Sequence, residues 1–183
     1  MARVLIPYGT TQGQTTSISE YIAQVVRDHG NEVETLDVKE LTGSFALGDY
    51  KAVIVGAPIH MGEYEEYARD FVKRNREALA EMPSAFFSVS LTAQDDTDAA
   101  QTQTREYVEK FCPGDRLISR HGRYLRRCAA VHTLRVRKAL PHEEVTRDKG
   151  GADTDTSHDY KYTDWNAVSH SAEEFMKVLP VER

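Results

Sequence analysis

Hydrophobic positions along the chain follow two rhythms that take turns. Continuous apolar runs at Ala2–Pro7, at Lys51–Gly56 (closed by Ala57 and Pro58) and at Ser84–Leu91 predict strands covered on both faces, since a doubly buried strand shows no polar alternation. Asn31–Val38 instead alternates Val33, Thr35 and Asp37 against Glu32, Glu34 and Leu36, which predicts a strand nearer an edge. Between them, Ile18, Ile22, Val25 and Val26 recur at helical spacing and stop at Gly30, a good helix-terminating residue. A second helix is predicted from Tyr64 to about residue 80, with Tyr67, Phe71 and Val72 inward, and a third ends over Thr104–Phe111. Trp165, Val168, Ala172, Phe175, Met176 and Leu179 predict a last helix, with Thr163 or Asp164 as its N-cap.

Strand and helix thus alternate almost throughout. The pattern predicts an α/β fold of βαβ units with right-handed crossovers, a parallel sheet and helices on both faces. Ligands of such open sheets bind outside the carboxyl ends of the strands, which selects three loops: Thr10–Thr15, Pro58–Tyr64 and Ser90–Gln94. Chemistry differs among them. The first carries hydroxyls and opens a helix, whose unpaired backbone N–H groups attract an anion. The second, PIHMGEY, offers an apolar and aromatic wall and a glycine that allows close backbone approach. The third offers small residues and hydroxyls. Together they describe a pocket for a flat heterocycle bearing one phosphate.

The first loop, YGTTQGQT from Tyr8 to Thr15, is distinct from better-known phosphate loops. Gly13 is followed by Gln14 rather than Lys, which disfavours a nucleotide-hydrolysing site with bound Mg²⁺, and only Gly9 and Gly13 stand where a dinucleotide fingerprint needs three glycines. The remaining alternatives are a lysine-free cradle for a phosphate monoester and an ordinary strand-to-helix turn.

Composition adds bounds. A chain of 183 residues is most simply one domain with a substantial core. No apolar run approaches the roughly 20 residues needed to cross a bilayer, and the N-terminus lacks the pattern of a secretory leader, so a cytoplasmic location is expected. Cys112 and Cys128 form neither a CxxC pair nor a ligand cluster, consistent with a reducing compartment. The net charge of −6 hides an uneven distribution: residues 1–111 carry 10 basic and 18 acidic side chains, residues 112–141 carry 8 and 1, and residues 142–183 carry 5 and 10.

With the loops placed, a resemblance emerges. The phosphate loop, GAPIHMGEY with its GxYxxY spacing, MPSAFFSVSL and the terminal DTDTSHDYKYTDW resemble the flavodoxin superfamily, and within it the quinone-dependent protoporphyrinogen IX dehydrogenases. The resemblance covers nearly the whole chain except about residues 114–145. It implies a flavodoxin-like three-layer sandwich with a five-stranded parallel sheet, one domain over residues 1–183, and FMN as cofactor. By position, Thr10, Thr11, Gln12, Gly13, Gln14 and Thr15 match the family's FMN-phosphate loop. Pro58, Ile59, His60, Met61, Gly62 and Tyr64 match the loop facing one side of the isoalloxazine, and Ser90, Leu91, Thr92 and Ala93 the loop along its other edge. The implied reaction removes hydrogen from a porphyrinogen substrate and passes electrons to a quinone, in haem biosynthesis. No catalytic acid or base is assigned, because the flavin carries the redox chemistry.

Residues 114–145 break the family pattern, which places a fifth core strand and a basic aromatic segment there. The best strand candidate is Cys128–Val136, although it carries Arg135 and His132. Reading back-translated codons 119–145 one base downstream permits PDTAGTFAGARRYTRYGFVKRFLMKK, a small-residue strand followed by a basic, aromatic helix. The first and third bases of each new codon are nearly fixed by the protein; mainly the middle base is free. Residues 114–160 therefore read either as a frame-shifted segment restored near Thr146 or as a divergent basic insertion. In the second case the basic stretch 116–138 would contact anionic lipid on the inner face of the cell membrane or substrate propionates. No nucleic-acid partner is expected.

Other residues weigh less. His60 is as well explained as an exposed loop histidine as by a flavin contact. Trp165 reads as a core anchor of the last helix. Asp153, Asp155, Ser157 and Asp159 imitate a calcium loop, but His158 replaces the required glycine and Asp164 the terminal glutamate, so no metal is expected. Two rival functions stand beside the enzyme: an electron-carrier flavodoxin without its own substrate, and a degenerate flavodoxin-like domain. The absence of aromatics from Ser90–Gln94 leaves one flavin face accessible, which favours the enzyme.

Overall fold

A computed structural model describes residues 1–11, 13–41, 45–60, 62–90, 98–99, 102–103, 106–107, 128–130, 135–136, 160–161 and 163–179. The first apolar run forms β1 (Arg3–Tyr8) and the helical stripe that follows forms α1 (Gln14–Asp28), which ends before Gly30. The alternating segment is β2 (Glu32–Asp37), followed by one 3₁₀ turn, Val38–Glu40. Next come β3 (Ala52–His60), β4 (Glu63–Tyr64), α2 (Glu66–Arg74), α3 (Arg76–Glu81) and β5 (Ser84–Val89). Three short strands, β6 (Cys128–Ala130), β7 (Arg135–Val136) and β8 (Tyr160–Lys161), precede α4 (Trp165–Met176).

The main sheet has the order β2-β1-β3-β5-β6, with parallel pairing at each step. The chain starts in β1, winds outward through β2, returns to β3 and proceeds to β5 and β6. The reversal lies between β1 and β3, and their carboxyl ends flank the crevice where a ligand binds in this topology. The fifth strand expected within residues 114–145 is present as Cys128–Ala130, paired with Phe86–Ser88 of β5. It is half the length of β5. Strands β7 and β8 form a separate antiparallel pair that the sequence pattern does not announce.

Two cores sandwich the sheet. On one face Ile18, Ile22 and Val26 of α1 and Val168, Ala172 and Phe175 of α4 meet Val4, Ile6, Ile54 and Phe87. On the other, Ala68 and Phe71 of α2 and Leu79 of α3 meet Leu5, Val53, Val55 and Phe86. This is the helix-on-both-faces arrangement that the continuous apolar strands require.

Three details differ from the sequence expectation. β3 runs past Ala57 and Pro58 to His60. Gly56 is the last residue of β3 in register with β1, so Pro58 falls where that side of the strand has no ladder bond for the missing N–H to break. The long helix expected from Tyr64 is two helices. Tyr64 belongs to β4, and the break lies at Asn75, whose side chain donates to the Phe71 carbonyl at 2.9 Å and closes the first helix. Trp165 is no core anchor. It begins α4 at 37% exposure and lies against Tyr21, ring centroids 4.8 Å apart, while Val168, Ala172 and Phe175 carry the buried stripe. The third helix is described only at residues 102–103 and 106–107, and the calcium-like series before Asp164 lies outside the described residues.

Candidate phosphate and flavin site

At the end of β1 the chain has to turn into α1 within a few residues. Gly9 continues the line of the strand, its N–H donating to the Gly56 carbonyl at 2.9 Å. A side chain is excluded at that point: a Cβ on residue 9 would lie 3.0 Å from Tyr67 Cζ and closer still to Cε2. The loop then folds on itself, with the Gly13 N–H donating to Thr10 Oγ1 at 2.9 Å. Gly13 is the N-cap of α1 at φ +81°, the left-handed region open to glycine.

This helix start is unusual in what it lacks among the described residues. No side chain caps it, and its first turn holds no acidic residue. The first-turn N–H groups of an α-helix have no intrahelical acceptor, and the helix dipole adds partial positive charge there. A first turn with no side-chain cap and no acidic residue of its own, beside hydroxyls, therefore suits an anion. Of the candidate loop residues, Thr10, Thr11, Gly13, Gln14 and Thr15 converge here. Thr11 faces solvent and donates to Glu65 Oε1 at 3.2 Å, whereas Gln14 and Thr15 are buried. Gln12 lies outside the described residues.

The second loop is a tight hairpin. Ile59 pairs with Tyr64 and His60 with Glu63 in antiparallel register, and Gly62 turns the chain at φ +83°. His60 is exposed, Pro58 and Ile59 are half-buried, and Tyr64 is buried edge-on against Phe86 with centroids 5.5 Å apart. Met61 is outside the described residues, as are Leu91, Thr92 and Ala93 of the third loop. Ser90 is buried at the end of β5.

Contacts from distant sequence complete the site, and no loop motif signals them. Lys39, in the 3₁₀ turn after β2, donates from Nζ to the Thr10 carbonyl and stands 4.9 Å from the centroid of Tyr67. Its position is fixed at the backbone, where its N–H donates to Asp37 Oδ1 at 3.0 Å. The loop itself is lysine-free, yet the topology brings a cation to its edge. Burial raises the phenol pKa of both Tyr8 and Tyr67, so each is a neutral hydroxyl at physiological pH. Gln14 donates from Nε2 to Thr163 Oγ1 at 2.8 Å, tying the C-terminal segment to the loop. Among the described residues no group of three or more His, Cys, Asp or Glu side chains is suited to a metal ion, and no helix is long and apolar enough to cross a membrane.

Comparison with known proteins agrees with this geometry. The flavodoxin domain model matches residues 5–123. The chain is 30% identical over 176 residues to protoporphyrinogen IX dehydrogenase (quinone) of Escherichia coli strain K12, covering 94% of this chain and 93% of that protein. A protein of the same name from Leishmania major is 31% identical, over 94% of this chain and 74% of that one. Among solved structures, oxidised flavodoxin 1 from Bacillus cereus superposes with a TM-score of 0.55 at 17% identity, covering 98% of this chain and 100% of that one. Sheet order, crevice, uncapped helix and these matches converge: the chain belongs to the flavodoxin-domain family and is related within it to protoporphyrinogen IX dehydrogenases.

Proposed function

We propose that the protein is an FMN-dependent oxidoreductase that oxidises protoporphyrinogen IX and passes the electrons to a quinone. The observation that carries this reading is the first turn of α1 at the switch point of the sheet, with no side-chain cap and no acidic residue of its own, in a chain 30% identical to a protein of that activity over nearly its full length. The residues fit a flavin monophosphate. Thr10 supplies a hydroxyl, Thr11 would supply a second by turning from Glu65, the first turn of α1 supplies N–H groups, and Lys39 supplies charge at the edge.

Bound FMN would supply the redox chemistry that links hydrogen removal from the porphyrinogen to reduction of the quinone. The chain's own task is to hold and orient. Thr10, Thr11, Gln12, Gly13, Gln14 and Thr15 would hold the phosphate. Pro58, Ile59, His60, Met61, Gly62 and Tyr64 would form one side of the ring site, and Ser90, Leu91, Thr92 and Ala93 the other. No side chain is assigned as acid or base.

The working arrangement is one domain over residues 1–183, cytoplasmic; a basic stretch 116–138 that is a genuine insertion would add peripheral contact to the inner face of the membrane. A second reading concerns that stretch. The 8 basic and 1 acidic side chains of residues 112–141, and the strand-plus-helix string in the next frame, support a frame-shifted segment restored near Thr146. The string's TFAGA falls on codons 124–128, ending where β6 begins. A chain altered there would keep its flavin loops and lose substrate contacts.

One assay separates these readings. The purified chain is examined by visible absorption, then offered protoporphyrinogen with a quinone while porphyrin fluorescence is followed. A yellow protein that forms porphyrin supports the enzyme. A yellow protein that forms none supports an electron carrier or an altered segment 114–145, and a colourless one supports a degenerate domain.

A further inference from the structure

The terminal signature DTDTSHDYKYTDW has no part in the three flavin loops, yet its last three residues each make a separate contact. Thr163 Oγ1 accepts from Gln14 Nε2 at 2.8 Å across 149 residues of sequence. Asp164 caps α4, its carboxylate accepting from the Ala167 N–H at 2.9 Å. Trp165 packs on Tyr21, one and a half to two turns further along α1. Helix α4 is anchored in turn by Val168, Ala172 and Phe175, which share a core with Ile18, Ile22 and Val26 of α1. The hydroxyl of Thr163 is thus held by a rigid element, and Gln14, which it engages, is only 6% exposed.

Gln14 is the first residue of α1 and follows directly on Gly13 of the loop. A buried side-chain amide has to be partnered, and Thr163 supplies that partner from the far end of the chain. We infer that Thr163 is a positioning residue of the phosphate site: through Gln14 it sets the direction of the first turn of α1, and the C-terminal segment thereby forms part of the device that retains the cofactor. This rests on the FMN reading above.

The logic gives a selective effect. The phosphate is held at α1, whereas the ring is held by the loops after β3 and β5, so a displaced first turn lowers affinity for FMN and spares affinity for riboflavin, which has the ring and no phosphate. The experiment titrates the flavin-free full-length protein with FMN and with riboflavin by flavin fluorescence. For Thr163→Val the expected result is a dissociation constant about tenfold higher for FMN, from loss of a buried hydrogen-bond partner, with riboflavin unchanged within about twofold. Thr163→Ser keeps the hydroxyl and is expected to bind like the unaltered protein. Gln14→Leu removes the same hydrogen bond and any contact of its own with the phosphate, so it is expected to lose at least as much as Thr163→Val, and the double variant no more than Gln14→Leu alone.

An FMN constant within about twofold of the unaltered protein for Thr163→Val would overturn the inference. So would equal losses for FMN and riboflavin, which mark general loosening of the fold, or independent, multiplying losses for the two substitutions. Failure of the unaltered protein to bind FMN is a different result. It would remove the cofactor reading itself, and this inference with it.

Discussion

The ring of Tyr67 occupies the space that a side chain on residue 9 would need. The end of β1 and the first turn of the opposite-face helix α2 are therefore fitted to each other. Gly9→Ala is expected to destabilise the protein by about 1–3 kcal/mol, because the half-buried ring must move to admit the methyl group. Urea unfolding measures the loss. Tyr67→Ala opens the space, so Gly9→Ala added to Tyr67→Ala should cost much less than it does alone; strict additivity would show that the two residues do not meet.

The hydroxyls of the loop carry a second expectation. Replacing Thr10, Thr11 and Thr15 together by Val should abolish FMN retention while the helix core, built from Ile18, Ile22 and Val26, is left in place. Flavin content after purification, read from visible absorption, is the measurement. Normal flavin content in that variant would contradict the assignment of the loop.

Lys39 is expected to act through charge. Lys39→Met should raise the FMN dissociation constant about fivefold, the scale of an exposed ion pair, and flatten its dependence on salt, whereas Lys39→Arg keeps both near their original values. Riboflavin binding should not respond. Titrations at two salt concentrations make the test, and an uncharged variant with undiminished salt dependence would exclude this role.

Away from the site, Tyr50, Glu34 and Arg3 form a cluster that ties β1 and β2 together. Tyr50 Oη donates to Glu34 Oε2 at 2.7 Å, Arg3 Nη2 meets the same oxygen at 2.9 Å, and the Arg3 guanidinium lies 4.9 Å from the Tyr50 centroid. Burial first, and then the hydrogen bond to Glu34, push the Tyr50 phenol from 10.0 to about 12. A pKa higher in the folded than in the unfolded chain means that the folded state holds the proton more tightly. The associated stability is complete below pH 10 and is lost as pH rises from 10 toward 12. Unfolding free energy should fall across that window, and Tyr50→Phe should flatten the fall. Ultraviolet titration of tyrosinate, compared between the two proteins, identifies the late-ionising group.

For the basic block, nucleotide sequence is the direct measurement. A second frame over codons 119–145 that encodes a small-residue strand and a basic aromatic helix is the expected finding. A second frame that encodes neither would leave the block a divergent insertion.

The main elements were legible because burial on both faces writes itself as uninterrupted apolar sequence: Val4, Leu5 and Ile6 in β1, and Phe86 and Phe87 in β5, admit few other readings. The edge position of β2 was legible for the complementary reason, its half-polar alternation. What misled was local punctuation. Pro58 looks like a strand terminator until the register shows β1 already finished on that side, and nothing near Asn75 outweighs the helical periodicity that runs through it. Trp165 sits at the spacing of the buried stripe, yet the first position of a helix faces wherever its cap directs it. The tight turn from β1 into α1 was readable from its glycines, and Gly13 takes the left-handed conformation there. Lys39 and Thr163 were not readable, since 29 and 149 residues separate them from their partners Thr10 and Gln14, and only the order of the strands and the return of α4 bring them together.

The bare start of α1 has one more consequence. A helix without its own cap is completed by whatever anion occupies that end, so a cofactor phosphate bound there would serve the fold as a terminal residue supplied from solution. Ligand present at a hundred times its dissociation constant adds about 2.7 kcal/mol to the folded state. The melting temperature of the protein should therefore climb with FMN concentration, and flavin scarcity would shorten the lifetime of the chain before it limits turnover.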